Sequence, residues 1–247
     1  MGKPPVHPKA CCWAGVDVGG SRKGFDAAVV DACGLIGGPE PRLLSPAAVI
    51  DWVAEYRPAV VGVDSPRRPA RPGETSRTCE RELARAVCGI RFTPDSDRLA
   101  ENPSYYEWIE RGFDLYEALE GADEGWEVIE VFPTASFTRW AGRRGAGSRA
   151  AWSAAALDAL GLEGLPGRRL NQDARDAIGA ALTARAYGEG GTQGFGEIVV
   201  PLGGAAPGAA QTRRSDPNEI STTRKGDLRP QREPCRQDIP RLEVLAC

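Results

Sequence analysis

CCWAGVDVGGSRKGFDAAVVDACG, residues 11–34, decides the fold. Two apolar runs, Trp13–Val18 and Phe25–Asp31, flank Gly19, Gly20 and a short polar segment, so the pattern predicts a buried strand, a turn and a second strand folded back on the first. Working outward, Ser45-Pro46 opens a helix with a serine cap and proline at the first helical position. Val49, Ile50, Val53 and Tyr56 recur at helical spacing until Pro58 stops it. The run AVVGVDSP then supplies a short buried strand, Ala59–Val63, reached through the helix and therefore parallel to its neighbour. A hairpin followed by a crossover helix and a parallel strand makes an α/β mixed sheet.

Residues 66–125 are less regular and read as a helical insertion. RRPARPGETSR is a basic loop, SRTCERELARAV a helix capped by Ser76, and SYYEWIERGFDLYEALEG a second helix. Tyr105, Trp108, Ile109, Tyr116 and Leu119 lie along one side of that helix, at the spacing of a core or lid face. A strand over Glu127–Phe132 follows, then a helix in SRAAWSAAALDALGL, then a long helix in RLNQDARDAIGAALTARAYG that ends at Gly188. GEIVVPL supplies a closing edge strand. Residues 1–10, with three prolines, read as a flexible leader, residues 11–202 as the folded domain, and the Gly/Pro/Arg-rich residues 203–247 as a flexible tail.

Composition narrows the chemistry. The chain of 247 residues has a net charge of −3. Eight basic and six acidic side chains fall in residues 203–247, so the body is mildly acidic and lacks the strongly basic surface of non-specific nucleic-acid binding. His7 is the only histidine, which nearly excludes Ser-His-Asp triads, Cys-His dyads and histidine-bound zinc. The seven cysteines contain no C-x-x-C pair, and reduced thiols are expected. No apolar run is long enough for a membrane helix and no signal-like core opens the chain, so the compartment expected is the cytoplasm.

Four aspartates then converge. Asp17 ends the first strand just before Gly19-Gly20, where backbone can approach a ligand. Asp64 ends the parallel strand, and neighbouring parallel strands bring those ends together, where open α/β sheets bind ligands. Asp173 and Asp176 lie one helical turn apart on the last long helix. Two such charges 4 Å apart repel by about 4 kcal/mol at an effective dielectric near 20 unless a cation intervenes. Oxygen-only ligand sets suit Mg²⁺ or Mn²⁺, and two such ions can hydrolyse a phosphodiester without histidine. Asp173 has a second reading as a helix-start acid favoured by the macrodipole, with Asn171 as the cap. Glu130 is either a further site acid or an outward-facing charge of its strand, and Glu80 is more readily a solvated helical charge. Lys23, Arg67, Arg77 and Arg81, with Arg68 and Arg85, could grip phosphate or form a solvated charged flank.

GVDVGGSRKGFDAAVVD, VGVDSP, the Arg77–Leu83 segment RTCEREL, VIEVFPTASF and NQDARDAIGAALTAR, in this order, resemble the domain-of-unknown-function 429 family, described as predicted nucleases with an RNase H-like fold. The D-x-x-D-A stretch also resembles the C-terminal helix of RuvC-type resolvases. The resemblance spans residues 14–202. It implies an RNase H-like mixed sheet with flanking helices, metal-ligand roles for Asp17, Asp64, Asp173 and Asp176, a two-metal Mg²⁺ or Mn²⁺ centre, and DNA or RNA as the partner. It also makes EVFP a motif, which brings Glu130 into the site. RuvC-like enzymes often carry Glu where Asp64 stands. Two alternatives remain: an ATP-binding protein related to actin and the sugar kinases, which also begin G-x-D-x-G-G but need a second glycine-rich phosphate loop that VGVDSP lacks, and a non-catalytic nucleic-acid-binding module.

Overall fold

The computed structural model describes residues 12–203, so the expected leader and all of the expected tail but Gly203 lie outside the described residues. Strands β1 (Cys12–Val18), β2 (Phe25–Asp31) and β3 (Leu35–Leu43) form an antiparallel meander. Helix α1 (Pro46–Ala54) crosses to β4 (Val60–Asp64), which pairs parallel with β1. Helices α2 (Thr78–Ala86), α3 (Ser96–Glu101) and α4 (Pro103–Gly121) precede β5 (Glu127–Val131). Then come α5 (Pro133–Ala141), α6 (Arg149–Ala159), α7 (Gln172–Gly188), β6 (Thr192–Phe195) and β7 (Ile198–Pro201). The seven strands form one mixed sheet in the order β3-β2-β1-β4-β5-β7-β6, the α/β architecture with flanking helices that the resemblance implies.

Alternation along the strands divides the core between two faces. Ala14, Val16, Phe25, Ala27, Val61 and Val63 point to one side and pack with Val49 and Val53 of α1 and Leu115 and Leu119 of α4. Ala28 and Val30 point to the other, against Ala177, Ile178, Ala181 and Leu182 of α7, with Phe137 of α5 and Leu157 of α6 behind them. Two glycines set how closely α7 approaches. Gly15 and Gly62 are register partners on β1 and β4. A Cβ on Gly15 would lie 2.0 Å from the Ala181 nitrogen, and one on Gly62 would lie 2.8 Å from the Ala180 carbonyl oxygen. Bare backbone here seats α7 directly on the two central strands.

Several local expectations are corrected. Ser76 does not cap α2: Arg77 takes the cap position in extended conformation, and its N–H donates to the Glu80 carboxylate at 3.1 Å, the half of a capping box that needs no acceptor on the cap side chain. Tyr105 is not in the core; it is 51% exposed, while Ile109, Leu115, Tyr116 and Leu119 are buried. GEIVVPL does not close the sheet, because β7 lies between β5 and the true edge strand β6. Strands β3 and β6 and helices α3 and α5 were not anticipated. Pro39 and Pro41 give β3 the look of a loop, yet proline is tolerated on an edge strand, and among the described residues β3 pairs only with β2, through an irregular register. No helix among the described residues is long and apolar enough to cross a membrane.

Candidate metal centre

Asp17 and Asp64 are register partners at the C-terminal ends of adjacent parallel strands. They are two residues beyond the Gly15–Gly62 pair, so their side chains share the face that α7 covers. On α7, Asp176 lies one turn before Ala180, the residue whose carbonyl approaches Gly62. Close seating of the helix therefore carries Asp176 onto the two strand ends. One carboxylate oxygen from each of Asp17, Asp64 and Asp176 lies within 4.8 Å of the other two.

The electrostatics are those of crowded acids. Burial raises the Asp17 carboxyl well above its ordinary value, and the charges of Asp64, Asp176 and Asp173 raise it further. Asp64 is also raised well above its ordinary value, by burial and then by Asp176; Arg149 and a hydrogen bond shared with Asp17 pull the other way. Burial pushes Asp176 up to about 6 against the opposing charge of Arg149 and a hydrogen bond from Gln172. Arg149 Nη2 donates to Asp176 Oδ2 at 2.9 Å, and Gln172 Nε2 donates to Oδ1 at 3.0 Å. Three crowded carboxyls, two half-buried and one buried, suit a divalent cation: oxygen donors, converging geometry and excess negative charge are all present.

Asp173 stands outside this trio. Asn171 caps α7 through the Ala174 N–H at 2.7 Å, and Asp173 in the first turn accepts from Lys23 Nζ at 2.8 and 3.2 Å. Lys23, on the β1–β2 turn, is thus tied to an acid at the rim of the site, with 67% of its side chain exposed. Gly24 completes that turn at φ +78°, a backbone conformation that glycine adopts without strain.

Glu130 is brought to a different place. It is in register with Val63, whose side chain faces α4, so strand alternation points Glu130 away from the face of Asp17 and Asp64. There it is buried with Arg77 and Glu80. Arg77 Nη1 donates to Glu130 Oε2 at 2.8 Å, Nη2 donates to Oε1, and Nε donates to Glu80 Oε1 at 3.0 Å. The Arg67 N–H donates to Glu130 at 3.0 Å, and Thr93 donates to Glu80 through both N–H and hydroxyl, at 3.0 and 2.6 Å. Glu80 is accordingly no solvated charge. This fork-to-fork network clamps the segment after β4 onto β5 and α2.

Three more of the candidate arginines are also engaged within the chain, whereas Arg85 on α2 is exposed. The Arg67 guanidinium donates to Glu120 at 2.8 Å and to the Val128 carbonyl, and lies 4.8 Å from the centre of the Tyr116 ring. Arg81 donates to Ser76, Thr78 and Glu74. Arg68 pairs with Glu197 at 2.7 Å.

Two residues beside the cluster escaped the sequence reading. Asp26 lies opposite Asp17 across the hairpin, buried and accepting from the Arg42 N–H at 3.2 Å; an acid inside an apolar strand, facing a site acid across the pair, was the available signal. Arg149 opens α6, and nothing in its sequence spacing connects it to α7.

No curated protein matches the chain. The structure is similar to a solved one titled "Thermus thermophilus RuvC structure", at 19% sequence identity and a TM-score of 0.41, covering 72% of this chain and 96% of that one. The family model described as "Protein of unknown function (DUF429)" matches residues 15–197, well over half of the sequence, and the protein belongs to that family.

Proposed function

We propose that the protein is a metal-dependent phosphodiesterase that cleaves nucleic acid, with Asp17, Asp64 and Asp176 as its metal ligands. The observation that carries this reading is the meeting of three carboxylates from β1, β4 and α7 within 4.8 Å at one end of a parallel strand pair. When bound there, Mg²⁺ or Mn²⁺ supplies Lewis acidity to the phosphate and lowers the pKa of the attacking water. Asp17 and Asp64 hold the ligand oxygens on rigid strand ends, and Asp176 closes the set from α7. Asp173, if released by Lys23, would offer oxygens for a second ion, and the freed ammonium would then be able to contact a phosphate. Glu130 does not serve as a ligand in this scheme; it holds Arg77 and the segment carrying Arg67. The order and spacing of the motifs shared with predicted nucleases support DNA or RNA as the polymer. The free thiols of Cys33, Cys79 and Cys88 accord with a cytoplasmic location.

The test is cleavage of end-labelled single-stranded and duplex DNA and RNA in Mg²⁺ or Mn²⁺. Asp17→Asn and Asp176→Asn should each lose at least about a hundredfold in rate, the scale at which loss of a charge-stabilising group is felt. Cleavage by either variant at the parent rate would overturn the proposal. Binding that is equal in EDTA, with no cleavage in any divalent ion, would favour the binding-module reading instead.

A further inference from the structure

Arg149 makes an incomplete set of contacts at the edge of the carboxylate trio. Its Nη2 is shared between Asp176 Oδ2 at 2.9 Å and Thr134 Oγ1 at 3.1 Å. Its Nε is buried and has no hydrogen-bond partner among the described residues. The side chain is 42% exposed, whereas that of Asp176 is 4% exposed, so the arginine can move and the aspartate is fixed. Arg175, by contrast, is tied down by Ser153, Gln172 and the Leu170 carbonyl.

A guanidinium is a flat five-donor fork that matches two phosphate oxygens, and leaving one of its buried N–H groups unmatched is unfavourable. The Asp176 carboxylate is also one that a divalent cation at the trio would take, and its Oδ1 already accepts from Gln172 Nε2 at 3.0 Å. Two cations cannot share that carboxylate closely without repulsion.

We propose that Arg149 is a displaceable countercharge: it occupies Asp176 in the metal-free protein, gives up that carboxylate when the divalent ion binds, and then turns to a phosphate oxygen of the substrate. This rests on the metal-dependent reading above. Arrival of the metal and formation of the phosphate-binding arm are thereby one event, and the protein would grip phosphate strongly only when loaded.

Calorimetric titration tests it, first with Mn²⁺ alone and then with inorganic phosphate added to the Mn²⁺-loaded protein, for the parent, Arg149→Gln and Arg149→Lys. Arg149→Gln should bind Mn²⁺ about tenfold more tightly than the parent and bind phosphate about tenfold more weakly, the scale of one charge-assisted contact. Arg149→Lys keeps the charge and should stay within about threefold of the parent for Mn²⁺. Equal Mn²⁺ affinity in parent and Arg149→Gln would overturn the countercharge while leaving the metal reading intact. Tighter Mn²⁺ binding with unchanged phosphate affinity would overturn the phosphate-binding half. If neither protein binds Mn²⁺, the metal reading fails and the countercharge fails with it.

Discussion

The carboxylate trio makes the metal-free protein less stable as its acids ionise, and Asp176 allows this to be sized. Its carboxyl stands at about 6, against 3.8 for a free aspartate. Below about pH 4 the group is protonated in both folded and unfolded chains and imposes no penalty. Between these values the unfolded chain has released its proton while the folded chain retains it, so stability falls as pH rises. The fully developed penalty is about 3 kcal/mol, of which about 2 kcal/mol accumulates between pH 4.5 and 7.5. Urea denaturation in EDTA across this range, for the parent and for Asp176→Asn, isolates the effect. Parent stability should fall relative to the variant by about 2 kcal/mol from pH 4.5 to 7.5. Loss of the Arg149 and Gln172 contacts in the variant shifts the baseline without creating that slope, and release of Asp17 and Asp64 from their neighbour acts in the same direction. Saturating Mn²⁺ should abolish the fall, because the ion binds the ionised form. A difference that is flat with pH, or that rises, would refute the idea that burial holds Asp176 protonated in the metal-free protein.

Glu130→Gln leaves Arg77 buried without its main partner and should cost about 3–5 kcal/mol in urea denaturation, with metal affinity preserved; a loss under about 1 kcal/mol would return Glu130 to the list of site candidates. Gly15→Ala drives a methyl group into the α7 backbone and should cost about 3 kcal/mol or more, together with Mn²⁺ binding, since the same seating delivers Asp176; an unchanged urea midpoint would contradict the close approach. Lys23→Ala removes a largely exposed pair and should change stability by less than about 1 kcal/mol, while raising KM for a cleaved oligonucleotide more than it lowers kcat; an unchanged KM would remove Lys23 from substrate binding.

The sequence carried those features whose signals are local. The hairpin over Trp13–Asp31, the Ser45-Pro46 helix start, the parallel strand before Asp64 and the Asn171-capped helix each announce themselves by alternation, capping or proline, and together they place Asp17, Asp64 and Asp176 on three elements facing one point. Local signals failed where position in the sheet decides the outcome. Pro39 and Pro41 are compatible with a strand only because β3 is an edge. Pro133 starts a helix immediately after β5, and reading EVFPTASF as a strand and its tail concealed the turn of direction. Glu130 could be seen as an acid in an apolar strand, yet its face depends on its register with Val63, and that single parity moves it from the acidic cluster to the Arg77 clamp. Arg149 was invisible for a different reason: its importance comes from α6 packing beside α7, with no sequence spacing to mark it.

The most direct measurement is the anomalous diffraction of Mn²⁺ in a crystal of the intact protein. The expected result is a Mn²⁺ peak bounded by oxygens of Asp17, Asp64 and Asp176, with the Arg149 guanidinium withdrawn from Asp176 Oδ2. A Mn²⁺-soaked crystal with no peak among these three carboxylates, and Arg149 still bonded to Asp176, would contradict it.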